Sequence, residues 1–463
     1  MKVSDEFEGI EHIHLMGIGG AGMSALALLL VGAGFTVDGC DLSRSDYTSK
    51  IEKLGIDCIM GHSPLHIEKF SPQLVVYSSA VNSQHEELLA ARKRGIRTAN
   101  RGLVLSWLFN ASRGIGVAGT HGKTTTSSMI GLILEHAEYD PTLAVGAEVS
   151  DIGINARVGK SDFFVAEIDE SDGSFEFFKP RVTAITNADW DHVNYFLTRE
   201  DVISAFIRFA KGRKPNTPLV ICAEDEGTQS LIKSLGNDPE LVTCGWGKSW
   251  NWGAFDVAHK AGGGVVFSVA CNGETLGKIE LIVSGDHNIL NALVACAATS
   301  SLGIPFETIT ETLRGFHGAR HRLEKLGKKG GVQVIDDYAH HPTEIAASIS
   351  AVRDTYPGHR LVVVFQPHRY TRTAVFYREI ASALEAADLA LLLPIYAAGE
   401  ISQKITSEAI VDTIVADGYR SIFCNDEEDA LSKLNALLSS GDILVTMGAG
   451  DVSHLGEVYL NRL

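Results

Sequence analysis

Residues 115–126 read Ile-Gly-Val-Ala-Gly-Thr-His-Gly-Lys-Thr-Thr-Thr, and this stretch most narrows the folds open to the chain. A short apolar run passes through glycines into an amphipathic run at 127–134. That succession of strand, tight loop and helix is the unit from which parallel sheets are built. The loop offers backbone N–H groups and the positive end of a helix to an anion. Gly119, Thr120, His121, Gly122 and Thr125 form the loop and first turn, and Lys123 brings an ammonium to the β- and γ-phosphates of a triphosphate. The Thr124 hydroxyl is set to ligate Mg2+. The strict pattern G-x4-G-K-[ST] is not met, because Val117 stands where its first glycine belongs. The flanking strand and helix support the variant, and the reading is an ATP site with Mg2+.

At 463 residues the chain exceeds one ordinary core, so roughly two to four domains are expected. A 45% hydrophobic and 21% charged composition is that of a folded protein. The net charge of −17 argues against a nucleic-acid surface and against an anionic membrane. Anionic ligands must therefore be drawn in by local basic clusters. Seven scattered cysteines without C-x-x-C spacing predict thiols in a reducing compartment. The acidic first nine residues lack a signal-peptide core, and no run approaches the ~20 apolar residues that span a bilayer. A cytoplasmic protein is expected.

Short apolar runs alternate with amphipathic ones almost throughout, which predicts an α/β chain with mostly parallel sheets. Three blocks emerge, with boundaries at 1–110, 111–317 and 318–463. The first has predicted strands at 12–16, 36–41 and 74–78. A polar break at 110–114 reads as a linker. The second block has strands at 163–167, 182–186 and 219–222, then a Gly-rich, strand-like insert around 246–282. The third has strands at 332–336, 360–365, 389–393 and 443–447.

Gly17-x-Gly19-Gly20-x-Gly22 fits the dinucleotide fingerprint, and Asp41 closes the second strand at the distance of a ribose-binding acid. The fingerprint reports a pyrophosphate on a helix N-terminus, so NAD or another nucleotide diphosphate satisfies it. Glu167 ends a strand and is the expected Mg2+ ligand, while Asp169, Glu170 and Asp172 read as a solvated acidic turn. His192, beside Asp189 and Asp191 after another strand, is a candidate second metal ligand. Asn288 and Asn291 share a helical face and could read an adenine edge, or cap the helix.

In the third block, residues 336–342 (Asp-Asp-Tyr-Ala-His-His-Pro) and 366–372 (Gln-Pro-His-Arg-Tyr-Thr-Arg) each follow a strand, with Arg320 and Arg322 upstream. Arginines and histidines gathered at strand ends of an acidic chain imply an anion site, with a surface ion-pair patch as the plainer account. A metal cluster of His340, His341 and His368 is the third possibility, without the helical spacing of H-E-x-x-H.

These motifs together resemble the Mur ligase family over essentially the whole length, from 12–24 to 448–451. The most specific pieces are 119–126, 167–175, 287–291, 336–344, 366–373 and 396–400, in that order. The resemblance implies three domains: an N-terminal Rossmann-like domain, a central P-loop ATPase-like parallel sheet and a C-terminal Rossmann-like domain. It implies an ATP-dependent ligase that joins L-alanine to the lactyl carboxylate of UDP-N-acetylmuramate through an acyl phosphate, in peptidoglycan synthesis. By motif, Gly17, Gly19, Gly20, Gly22 and Asp41 would hold the UDP end, with His62, Ser78 and Ser79 nearby. His287 would sit beside Asn288 and Asn291 at the adenine. Arg322 would face the phosphates. Tyr338, His340, His368, Arg369 and Arg372 would surround the amino acid, with Lys123, His192, Arg322 and His340 as catalytic groups. Thr124, Glu167 and His192 would bind Mg2+, and a monomer or weak homodimer is expected. One departure is Arg320-His321-Arg322-Leu323, where the family usually has adjacent arginines. A recycling ligase that attaches a preformed tripeptide, a nucleotide-sensing module and a nicotinamide oxidoreductase are the other readings.

Overall fold

The computed structural model describes residues 2–78, 80–149, 151, 154–171 and 173–462. Every strand read above from the apolar runs forms, with ends differing by at most one residue. Among the described residues they assemble into three sheets.

The N-terminal sheet runs Asp57–Met60, Thr36–Asp41, His12–Met16, Leu74–Tyr77, Arg97–Asn100, all parallel. Strand order reverses beside His12–Met16, and a crevice opens at such a point at the carboxyl ends of the strands. The glycine run 17–22 lies there and leads into helix Ala21–Gly32, whose N-cap is Gly20.

The central sheet has ten strands, with Arg113–Ala118 between Val182–Ile185 and Phe163–Glu167. The insert continues this sheet: Trp252–His259 pairs parallel with Leu241–Trp246, and Val265–Cys271 and Glu274–Leu281 follow antiparallel. The C-terminal sheet has six strands, parallel apart from its edge strand Glu324–Lys329.

The linker expected at 110–114 is corrected. Helix Arg101–Asn110 ends there and strand Arg113–Ala118 begins almost at once. The polar residues that suggested a loose segment are engaged. Asn110 accepts from Lys179 N–H at 2.7 Å and donates to the Phe177 carbonyl at 2.9 Å. The Arg113 guanidinium lies 4.4 Å from the Phe163 ring centre. Gly114 leaves room for Phe109, whose ring a Cβ would meet at 2.4 Å. Phe109, Phe164 and Phe178 join one continuous core with Leu15 and Leu30 of the first sheet and its helix.

The third sheet meets the second differently. Trp190 sets its ring against Phe376 at 5.5 Å and donates to the Phe196 carbonyl at 3.1 Å. Around that contact the interface is polar: Arg372 grips Asp191, and Thr343 donates to Asp189 at 2.6 Å. No helix among the described residues is long and apolar enough to cross a membrane.

Candidate active site

Strand Arg113–Ala118 ends in the loop read from sequence, and helix Lys123–His136 starts from Gly122. Gly122 holds a left-handed φ of 79°, which a side chain would strain, and a Cβ would also meet Asn291 at 2.4 Å. Lys123 reaches back over the loop and donates to the Gly119 carbonyl at 2.6 Å and to Glu170 at 2.9 Å. Burial alone would lower the Lys123 pKa, but Glu170, Asp169 and Glu167 outweigh it and raise it. The ammonium is therefore held charged.

The solvated reading of Glu170 is corrected. Its side chain is 1% exposed, and His192 Nε2 lies 3.4 Å from its carboxylate. Glu170 joins strand Phe163–Glu167 to the loop through Lys123, and an acidic turn read by composition conceals that contact. Asp169 stays part exposed at the larger cavity; desolvation would raise it, but Lys123, His192 and Arg101 outweigh that and hold it at about 2.

Glu167 sits where expected. Its Oε2 accepts from the Thr124 hydroxyl and from Gly146 N–H, both at 2.7 Å. These are hard oxygen donors at a strand end beside a phosphate cradle, a set that fits Mg2+. Asp169, Glu170 and His192 form a second group with ligand atoms within 4.8 Å of one another. Burial would lower His192, but Glu170 and Asp191 raise it.

Two cavities flank the loop. One, of about 230 Å3, is lined by Gly122, Thr125, His287, Asn288 and Asn291 from the central domain and by Arg322 and Glu344 from the C-terminal block. Asn291 donates to Asn288 at 3.2 Å and accepts from Thr126 at 3.2 Å; Asn288 donates to the Ser284 carbonyl at 2.8 Å. Each amide group keeps one uncommitted N–H for a ligand. Burial first, then Arg322, brings His287 down to about 4, so its ring is neutral.

The other cavity, of about 550 Å3, runs from Gly20, Gly22 and Ser78 past Arg101 to Glu167, Arg320 and Tyr338. Thr124 and Arg322 line both cavities, which therefore meet beside the loop. Gly17, Gly19, Asp41 and His62 do not line the larger cavity. Asp41 accepts from Gly19 N–H at 2.8 Å and shapes the loop from behind. His62 turns to the Cys40 sulfur at 3.0 Å. Ser79 lies outside the described residues.

The C-terminal histidines crowd at the mouth. His340 Nδ1 faces the Tyr338 carbonyl at 2.9 Å, which fixes the proton there and leaves Nε2 as acceptor. Burial, then Arg372, brings His340 down to about 4, and burial with His340 and Arg372 brings His368 to about 2. Tyr396 stacks on His368 at 5.7 Å, and Arg322 lies over Tyr338 at 5.1 Å. Arg369 is part exposed, its Nη1 3.8 Å from Glu400. His192, His321 and Arg369 all adopt left-handed φ, at 51°, 59° and 70°. Non-glycine residues in that region mark positions the surroundings enforce. Arg372, expected beside the amino acid, has its guanidinium fork taken by Asp191, with two contacts at 2.9 Å.

Sequence reasoning gave Glu344 no role, although it lay inside a motif. It is largely enclosed, its side chain 12% exposed, between His121 at 3.1 Å, His340 at 3.5 Å and Arg322 at 3.7 Å. The available signal was its third position in helix Pro342–Thr355, where it closes a capping box with His341. His321, the departure from the family pattern, pairs with Asp336 at 2.6 Å and lines the larger cavity between Arg320 and Arg322.

A phosphate cradle flanked by two joined cavities, with a third sheet folded over the junction, defines a three-domain nucleotide-binding α/β protein. Three family models match the chain in order: the Mur ligase family catalytic domain at residues 12–113, the Mur ligase middle domain at 117–299, and the Mur ligase glutamate ligase domain at 321–450. UDP-N-acetylmuramate–L-alanine ligase of Desulforamulus reducens is 39% identical, with 97% of each chain covered. The same-named protein of Acetivibrio thermocellus is also 39% identical over 97% of this chain and 96% of its own. Among solved structures, UDP-N-acetylmuramate-alanine ligase MurC of Thermotoga maritima superposes with a TM-score of 0.82 at 29% identity, covering 97% of this chain and 98% of that one. A murein peptide ligase of Psychrobacter arcticus, at 23% identity, shares the fold with a TM-score of 0.73 over 98% and 99%. The chain belongs to the Mur ligase family.

Proposed function

We propose that this chain is an ATP-dependent ligase that joins L-alanine to the lactyl carboxylate of UDP-N-acetylmuramate, a cytoplasmic step of peptidoglycan synthesis. The observation that carries the reading is the junction of the two cavities at Thr124 and Arg322. ATP enters the smaller one with its base toward Asn288 and Asn291. The nucleotide sugar lies in the larger one, with its diphosphate at Gly20–Gly22 and its carboxylate at the junction. The whole-length relatives named for this reaction support the same substrates. In this reading 1–110 holds the nucleotide sugar, 111–317 holds ATP and 318–463 brings the amino acid.

The carboxylate oxygen attacks the γ-phosphorus and ADP leaves, giving an acyl phosphate. Two anions meet in that step, so Lys123 and Arg322 neutralise the oxygens that gain charge. Thr124 and Glu167, with His192 for a second ion, fit Mg2+, which when bound supplies further charge neutralisation. The alanine amine then attacks the acyl carbon, its proton passes to neutral His340 Nε2, and phosphate departs with the former carboxylate oxygen. Arg369 holds the alanine carboxylate.

The test follows oxygen. With 18O in the muramate carboxylate, one label should reach the released phosphate, and release should require both the nucleotide sugar and an amino acid. Unlabelled phosphate, or release with ATP alone, would defeat the reading. Preference for a tripeptide over alanine would move the chain to the recycling branch.

A further inference from the structure

The N-terminal sheet carries a polar cluster that the ligase reading leaves unused. His14 on strand His12–Met16, Cys40 on strand Thr36–Asp41, His66 on helix Leu65–Phe70 and Glu87 on helix Glu86–Lys93 converge under the sheet. His14, Cys40 and Glu87 are fully buried, and His66 is 8% exposed. Their ligand atoms all lie within 4.8 Å of one another.

Two of the separations match those between a metal's ligands, and two are shorter by a few tenths of an ångström. His14 Nε2 is 2.9 Å from Glu87 Oε1 and 3.5 Å from the Cys40 sulfur. His66 Nδ1 is 3.1 Å from Glu87 Oε1, and the sulfur is 3.6 Å from Glu87 Oε2. Zinc with nitrogen and oxygen at ~2.0–2.1 Å and sulfur at ~2.3 Å sets tetrahedral donors ~3.3–3.7 Å apart. Small inward or outward shifts would seat an ion.

The surroundings of these donors are those of a metal centre too. His14 Nδ1 is held by the Asp38 carboxylate, which turns Nε2 toward the cluster, the carboxylate–histidine arrangement that orients metal-bound imidazoles. Glu87 is steadied by Ser63 N–H at 3.0 Å, and Phe70 stacks on His14 at 5.7 Å. One thiolate, one carboxylate and two neutral imidazoles balance a divalent ion without residual charge. The apolar cluster on this face is small: Met16, Cys40, Ile67, Val75, Leu88 and Ala91. A cross-link between two strands and two helices would therefore matter to its stability.

We propose that His14, Cys40, His66 and Glu87 form a tetrahedral site for a divalent transition metal, zinc by donor chemistry, that pins both covering helices to the N-terminal sheet. The same pin reaches the nucleotide-sugar loop. The Cys40 carbonyl accepts from Gly17 N–H at 2.8 Å and from Ile18 N–H at 3.1 Å. Holding Cys40 therefore holds the start of the glycine run.

Cobalt reads this site apart from the Mg2+ ligands and from the His121, Asp189 and His341 group, none of which includes a thiol. Full-length protein stripped with a chelator is titrated with Co2+ alone. One equivalent should bring up a thiolate-to-cobalt charge-transfer band with the intense visible absorption of four-coordinate cobalt, and Zn2+ should bleach both. Cys40→Ser should remove the charge-transfer band, and Cys58→Ser should leave it. Asp38→Asn should weaken Co2+ binding by about 10–100-fold. The wild-type titration needs no variant, so misfolding of Cys40→Ser would not hide the answer. A metal-free hydrogen-bonded cluster would give no band in wild type, and a band that survives Cys40→Ser would place the ion elsewhere. Either result overturns the proposal.

Discussion

The two joints of this molecule are built from opposite materials. Between the first and second sheets lies an apolar seam, in which Phe109, Phe164, Phe175 and Phe178 share one core with Leu15 and Leu30. Between the second and third lies a latch of charge and hydrogen bonds: Arg372 on Asp191, Thr343 on Asp189, His121 beside Glu344. An apolar seam loses its whole stabilisation once water enters, so it holds two domains as one body. Ionic groups exchange protein partners for water at modest net cost, so a polar latch can open and reclose. The difference assigns the motions. On the proposed reading, the nucleotide-sugar and phosphate sites would keep a fixed relation, while the residues proposed for the amino acid would arrive with the C-terminal block.

Breaking the seam should have the largest effect. Phe109→Ala removes a fully buried ring from a core shared by two domains, and should cost about 3–5 kcal/mol in urea unfolding. A cost under about 1 kcal/mol would mean that the two sheets do not share a core. Arg372→Ala acts on the latch, leaving Asp191 buried without its partner. In a closed core that would rival the ring deletion. Here the domain can open and hydrate Asp191, so about 2–3 kcal/mol should appear as lost closure. Small-angle scattering should show a larger radius for the variant under conditions where urea unfolding of the first two sheets is unchanged. An unchanged radius would remove the latch.

This contrast was only half legible in the sequence. Strands such as Phe163–Glu167 and Ile443–Met447 carry nearly unbroken apolar runs, because both faces of a parallel sheet are covered, and the run alone locates them. Edge strands such as Asp57–Met60 and Ser421–Phe423 are short and half exposed, so polarity hides them. The phosphate loop and Glu167 were legible because their chemistry is local in sequence. Glu170, Glu344 and Asp191 were not, since each acquires its meaning from a partner on another element. Trp190, a bulky residue in a polar stretch, becomes intelligible only against Phe376 of the other domain. Composition also favoured a linker at 110–114, where the seam begins.

The latch should depend on pH where the seam does not. Burial would lower His121, but Glu344 and Asp189 raise it from 6.5 to about 9, and the neighbouring His341 ring, itself lowered, sits 4.8 Å away. Asp189 shares the central block with His121, so only the Glu344 share belongs to closure. That share holds the closed-state value up, is present at low pH and fades as pH rises through about 9. Glu344, held well below its ordinary range, contributes above about 4.5 and is lost only in acid. Closure should therefore weaken by about 1–2 kcal/mol between pH 6.5 and 9. Scattering or hydrogen exchange at 340–344 followed against pH would record it, and His121→Asn should flatten the profile. A wild-type profile already flat over that window would detach His121 from closure.

The smallest effect should come from Arg369, which lies on the moving domain but outside the latch. Its side chain is 38% exposed and only 3.8 Å from Glu400, so its removal leaves no buried charge behind. Arg369→Ala should leave the radius and the pH profile as in wild type. If it grips the alanine carboxylate, its loss should raise KM for alanine by roughly 5-fold, about 1 kcal/mol, with kcat nearly unchanged. A fall in kcat with KM constant would instead place Arg369 in the closing movement, and the boundary between latch and binding surface would have to be redrawn to include it.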